Sequence, residues 1–102
     1  MAERLKLTED EIKAAVSSLP GWRFEGSKLH KQYIFADFAH AFGFMATAAI
    51  LIEKMNHHPE WSNVYNRIDV HLTTHDAGGV SKRDIELAHV LDNISARLVE
   101  NR

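Results

Sequence analysis

The chain has 102 residues, of which 45% are hydrophobic and 25% charged, with a formal net charge of −2, seven histidines and no cysteine. Its length and balance fit one domain over residues 1–102. The lack of cysteine excludes disulfides, thiolate nucleophiles and thiolate-bound metals. Scattered Lys and Arg argue against direct nucleic-acid binding. No N-terminal apolar stretch suggests a signal peptide or a membrane span, so the cytoplasm is the expected location.

The first predicted elements are a helix and a hairpin. Thr8 and Glu11 form a capping box, and the apolar residues that follow recur at helical spacing up to Leu19, before Pro20-Gly21. The residues from Trp22 to Phe35 alternate around a glycine-containing turn, which predicts a β-hairpin.

A long helix should follow, running from an Asp37 cap to about Asn56, because Pro59 disfavours helical geometry at the preceding residue. It has two apolar stripes: Phe38, Phe42, Met45, Ala49 and Ile52 form one, and Phe44, Ala48, Leu51 and Met55 form the other. A helix that is apolar on two sides needs two covers, which we expect to be the sheet and a second subunit. Complete burial within one chain is the alternative.

The last third of the chain predicts two more strands and a helix. Residues 62–74 alternate around a bend at Tyr65-Asn66-Arg67, and Ser81 to Asp84 form a second capping box before a helix with Ile85, Ala88, Leu91, Ile94 and Leu98 on its inner side. The predicted fold class is α+β, a four-stranded antiparallel sheet with three helices packed on one face.

Histidines cluster where the long helix and the last strand end. Glu53 and His57 are four residues apart and should share a helix face, His58 should diverge because of Pro59, and His75 ends the final strand. Imidazole exchanges protons near neutral pH, so these histidines could act as general acid and general base.

Each of these residues also has an ordinary structural explanation. A histidine at a helix end is usually a cap, Asp84 a capping carboxylate, Trp61 a core residue and Glu53 a surface charge. Glu53, His57 and His75 could instead supply a two-histidine, one-carboxylate metal site, although no H-E-x-x-H pair is present. A metal site is less favoured than acid–base chemistry by these histidines.

The motif E-K-M-N-H-H-P-E-W-S-N-V-Y-N from Glu53 to Asn66 resembles that of the pterin-4a-carbinolamine dehydratases. Thr73-Thr74-His75 and the segment from Gly79 to Ile85 match the second half of that family's pattern in order and spacing. Similarity extends through the long helix at 38–45 and the turn at 19–22, so it covers nearly the whole chain from Leu7.

The resemblance implies a metal-free hydro-lyase that dehydrates 4a-hydroxytetrahydropterin to quinonoid dihydropterin, with no cofactor because the pterin is the substrate. It implies His57 and His75 as proton-transfer residues, and His58 as a further site residue that chiefly binds substrate, with Glu53 as an electrostatic partner. The implied substrate-binding residues are Glu53, Asn56, Pro59, Trp61, Thr73, Thr74 and Asp84, of which Asp84 would orient His75 or polarise the site. Many animal members have an acidic residue where this chain has Asn56, which leaves any role of that carboxylate open here.

Some members of the family also serve as dimerisation cofactors of a transcription factor through the long helix. We therefore keep a protein-interaction module as a second hypothesis and a zinc hydrolase as a third. Whether the protein is a dehydratase or an interaction module, the expected assembly is a homodimer or homotetramer through residues 37–56 and a sheet edge.

Overall fold

A computed structural model describes residues 5–100 and the side chains of residues 5–98; residues 1–4 and 101–102 of the predicted domain lie outside this range. In chain order the elements are α1 (Glu9–Val16), β1 (Arg23–Glu25), β2 (Lys28–Ile34), α2 (Phe38–Met55), β3 (Glu60–Val64), β4 (Arg67–Leu72), a 3-10 turn (His75–Ala77) and α3 (Lys82–Glu100). The four strands form an antiparallel sheet in the order β1-β2-β4-β3. This confirms the predicted fold class.

The sheet has one face against the helices and one face open. Leu29 and Tyr33 of β2 and Ile68, Val70 and Leu72 of β4 are buried beneath the helices. Side chains alternate along a strand, so the intervening residues project from the opposite face. On that open face, His30 lies opposite His71, and His71 lies opposite Glu60.

The two hairpins close through residues in left-handed conformations. Gly26 and Ser27 both have positive φ, 61° and 67°, as a two-residue hairpin turn of type I′ requires. In the second hairpin Tyr65 has φ of 52°, and β3 begins at Glu60. The second hairpin therefore starts two residues before the predicted Ser62, and Arg67 belongs to β4 and not to the bend.

The first helix is shorter than its apolar spacing predicted. The capping box of Thr8 and Glu11 is present, but the helix ends at Val16. The amides of Ser18 and Leu19 then bond to the carbonyls three residues earlier, so the chain tightens before Pro20. Leu19 is still buried, which explains why it fits the apolar pattern.

The long helix α2 has the predicted ends but a different buried face. Asp37 caps it by accepting a hydrogen bond from the amide of His40, and Asn56 ends it. Its buried residues are Ala41, Phe44, Ala48 and Ile52, so the two predicted stripes each contribute to the core. Phe38, Phe42, Ile50 and Leu51 are exposed. Phe38, Phe42 and Ile50 lie on one side of the helix, which we call the α2 outer face, whereas Leu51 lies beside α3.

By length and composition α2 also meets the requirements of a membrane-spanning helix. That is weak evidence, because core helices of folded domains meet the same requirements. Here α2 packs against the sheet and α3 through its buried face. Its position is therefore that of a structural helix of the domain.

Candidate active site

His57 enters the site through a turn at the end of α2. The helix ends at Met55, and Asn56 adopts the left-handed conformation, with φ of 53°. The turn reverses the chain and buries His57, which is only 9% exposed. The Arg83 guanidinium donates a hydrogen bond to the carbonyl of Met55 and so ties this helix end to α3.

The partner of His57 is Asp84, a fully buried carboxylate on the first turn of α3. The Nε2 of His57 lies 2.6 Å from Oδ1 of Asp84. An ionised carboxylate only accepts hydrogen bonds, so with Asp84 as the acceptor Nε2 is the nitrogen that donates to it, which leaves Nδ1 for other partners. The prediction that Asp84 would orient His75 is wrong, since the histidine that Asp84 contacts is His57.

A chain of buried hydrogen bonds holds Asp84. Its Oδ2 accepts from the hydroxyl of Thr74 at 2.8 Å and from the amide of Ser81 at 2.9 Å. The Ser81 hydroxyl lies 2.7 Å from that of Thr74 and accepts from the amide of Arg83 at 3.2 Å. The predicted capping box is thus half present: Asp84 accepts from Ser81 as expected, whereas the Ser81 hydroxyl bonds to Arg83 and to Thr74.

Glu53 pairs with His58 and not, as the helical spacing predicted, with His57. The Nε2 of His58 lies 3.1 Å from Oε1 of Glu53, and both side chains are mostly exposed. The left-handed turn at Asn56 is the cause, because it takes His57 off the helix face before Pro59 extends the chain.

His75 lies beyond the last strand and not at its end. The strand β4 stops at Leu72, and His75 opens a short 3-10 turn closed by a bridge between Thr74 and Gly79. Its side chain is 81% exposed, and its Nε2 lies 3.3 Å from Oε2 of Glu60. The buried Thr74 next to it bonds to Asp84, the partner of His57. Thr74 and His75 therefore connect the two histidine–carboxylate pairs through adjacent positions in the chain.

Glu60 in turn contacts Lys28 across the open face of the sheet. The Lys28 ammonium lies 2.6 Å from Oε1 of Glu60. The hydrogen bond from Lys28, with a smaller contribution from His75, holds the pKa of the Glu60 carboxyl below its usual value of 4.5. Glu60 therefore remains an acceptor for His75 in mildly acidic solution.

The other predicted site residues surround these pairs. Trp61 is half-buried on the helix side of the sheet, with its ring centroid 6.5 Å from that of Phe44. Pro59 and Thr73 are also half-buried, and Asn56 is exposed. Thr73 has no part in the Asp84 hydrogen bonds, which involve its neighbour Thr74.

Sequence reasoning missed three residues that the structure connects to the site: Glu60, Ser81 and Arg83. Glu60 was visible in the H-H-P-E motif but received no role, and the other two were assigned to a helix cap. Within the described part of the chain, no three histidine or acidic side chains are grouped so that they could hold a metal ion. Glu53, His57 and His75 are thus not arranged as a metal site.

The fold and these pairs define an α+β domain with a buried histidine–aspartate pair at one end of its sheet. A family model described as pterin 4 alpha carbinolamine dehydratase matches residues 5–94. The chain therefore belongs to the pterin-4-alpha-carbinolamine dehydratase family, which confirms the resemblance of its motifs.

Individual relatives agree over almost the full length. A protein of Solibacter usitatus named "Putative pterin-4-alpha-carbinolamine dehydratase" is 55% identical over 91 residues, covering 89% of this chain and 96% of its own. A protein of the same name from Rhodopseudomonas palustris is 50% identical over 95 residues, covering 91% of this chain and 94% of its own. A crystal structure of a "transcriptional coactivator/pterin dehydratase" from Brucella melitensis superposes with a TM-score of 0.86 at 44% identity, covering 88% of this chain and 98% of that one.

Proposed function

We propose that this protein dehydrates a 4a-hydroxytetrahydropterin to the quinonoid dihydropterin and water. The membership of the family and the names of its relatives support the reaction. The observation that supports a site for it is the buried pair of His57 and Asp84, joined through Thr74 to the segment that contains His75. We further propose that the protein works in the cytoplasm, without a metal ion or cofactor.

The reaction requires one proton to be added and one to be removed. The bond between carbon 4a and its hydroxyl breaks, the hydroxyl leaves as water after gaining a proton, and nitrogen 5 loses its proton as the double bond to carbon 4a forms. General acid–base help of this kind contributes on the order of 10²–10⁴-fold to a rate.

The two proposed proton-transfer residues are His57 and His75. Each has its Nε2 against a carboxylate, so in each ring Nδ1 is the nitrogen left for substrate. His57 is buried and His75 is exposed, and two imidazoles in such different surroundings are suited to different steps. The resemblance of the H-H-P-E-W motif to that of the family supports His58, Pro59 and Trp61 as further residues of the pterin site.

The test is a dehydration assay with freshly prepared 4a-hydroxytetrahydropterin. We expect His57→Ala and His75→Ala each to lower kcat/KM by about 10²–10⁴-fold. His89→Ala is the matched control, because His89 is an exposed histidine of α3 outside the site. Wild-type protein without turnover, or both site variants at full rate, would contradict the proposal.

A second candidate function, a protein-interaction module, is favoured by the α2 outer face. Phe38 is 49% exposed, Phe42 57% and Ile50 63%, and the Brucella structure is named a coactivator as well as a dehydratase. We propose that this face, together with a sheet edge, forms a homodimer or homotetramer. Apolar side chains in such numbers on one helix face favour a protein cover.

Sedimentation of Phe42→Ser distinguishes assembly from catalysis. We expect this variant to form smaller particles than the wild type while it retains measurable turnover. Tyr65→Ser is the control, because Tyr65 is 62% exposed but lies in the β3–β4 turn. An unchanged particle size for Phe42→Ser would argue against assembly through α2.

A further inference from the structure

Glu60 connects an exposed histidine to the open face of the sheet. Its carboxylate has two contacts, one oxygen to the ammonium of Lys28 and the other to the ring of His75. The third neighbour is His71, which lies directly opposite Glu60 on β4. Glu60, Lys28 and His71 all belong to strands of the sheet, whereas His75 belongs to the turn that follows it.

His75 needs such a contact if its ring is to have a defined orientation. With 81% of its side chain exposed, it has few packing contacts to select one rotamer. An exposed ring without an anchor exchanges rotamers within nanoseconds, which is unfavourable for a group that must meet one atom of a substrate. A carboxylate fixed on a strand restricts both the ring and its tautomer, because it accepts a hydrogen bond from Nε2.

Lys28 fixes the carboxylate in the same way. The ammonium binds one oxygen at 2.6 Å and leaves the other directed to the imidazole. Lys28 and Glu60 are on different strands, with β4 between them, so the pair spans the sheet. The order of contacts is therefore Lys28 to Glu60 to His75, from the rigid sheet to the exposed ring.

We propose that Glu60 is a positioning residue, which holds His75 by its Nε2 so that Nδ1 faces the substrate, and that Lys28 supports it. This inference rests on the proposed dehydratase function. Glu60 itself does not contact the reacting atoms. It acts through His75, so its contribution should disappear when His75 is absent.

The kinetic test is a double-mutant cycle. We expect Glu60→Ala to lower kcat by about 3- to 10-fold with little change in KM, as expected for one hydrogen bond that orients a catalytic group. In a His75→Ala background the same substitution should have no further effect. Lys28→Met should lower kcat by about twofold, since it leaves the contact between Glu60 and His75 in place.

Glu25→Ala provides the matched control, because Glu25 is a carboxylate on the same open face that contacts Arg23 and His30. It should retain the wild-type kcat. If Glu60→Ala lowers kcat equally with and without His75, or does not lower it at all, Glu60 does not act through His75.

A second measurement is independent of turnover. The ¹³C relaxation of the His75 ring reports how well the side chain is ordered, and we expect its order parameter to fall in Glu60→Ala and to stay unchanged in Glu25→Ala. A ring that is equally ordered in all three proteins would overturn the inference even if the enzyme is active. An inactive wild type in which Glu60→Ala still disorders the ring would count against the proposed reaction alone.

Discussion

Two histidine–carboxylate pairs of the site use the same contact in opposite surroundings. In one, the fully buried Asp84 holds the Nε2 of His57 at 2.6 Å; in the other, Glu60, with 43% of its side chain exposed, holds the Nε2 of His75 at 3.3 Å. The buried Asp84 accepts two further hydrogen bonds, from the Thr74 hydroxyl and the Ser81 amide, whereas the exposed Glu60 has one further partner, the Lys28 ammonium.

The difference lies in what the protein must supply to each pair. A buried carboxylate is costly unless every lone pair has a donor, so Thr74 and Ser81 are needed to hold Asp84 in place. An exposed carboxylate is solvated by water, and an ion pair there contributes little to stability. We conclude that the first pair contributes to both the fold and the site, whereas the second contributes mainly to the site.

The largest effect on stability should come from Asp84→Ala. The substitution leaves the His57 ring, the Thr74 hydroxyl and the Ser81 amide without their buried acceptor, which should cost about 3–5 kcal/mol of the free energy of unfolding. Urea denaturation measures this loss. Glu86→Ala, an exposed carboxylate on the same helix, should change stability by less than about 0.5 kcal/mol. A loss below about 1 kcal/mol for Asp84→Ala would remove the contrast between the two pairs.

A smaller loss is expected at Asn56, the residue that turns His57 toward Asp84. Its φ of 53° is unfavourable for a residue with a Cβ, although asparagine tolerates it. Asn56→Ala should therefore lower the free energy of unfolding by about 1 kcal/mol, whereas Asn56→Gly should keep it near the wild-type value. Thermal denaturation of the two variants measures the difference. Equal stability of both would show that the left-handed conformation at residue 56 carries no cost for a residue with a Cβ.

The sequence predicted the fold better than it predicted the contacts within the site. Capping residues and alternation are local signals, so the ends of α2 and both hairpins followed from the chain itself. The pairing of Asp84 with His57 depends on how α3 packs beside the end of α2, which no local pattern reports. Helical spacing assigned Glu53 to His57. That assignment failed because one left-handed residue, Asn56, was enough to transfer the contact to His58.

The contribution of the exposed pair can also be measured by its dependence on pH. Lys28 lowers the pKa of Glu60 below 4.5 in the folded state, so ionised Glu60 favours folding at neutral pH and this contribution is lost as the pH falls through the lowered value. Glu60→Gln should cost at most about 1 kcal/mol at neutral pH. Urea denaturation at neutral pH and in acid below the lowered pKa should show that the difference from wild type shrinks at the lower pH. Because Lys28 is the main cause of the shift, a Lys28→Met background should abolish most of that pH dependence. If the difference persists unchanged in acid, the effect of Glu60 on stability is not electrostatic and does not come from its ion pair with Lys28.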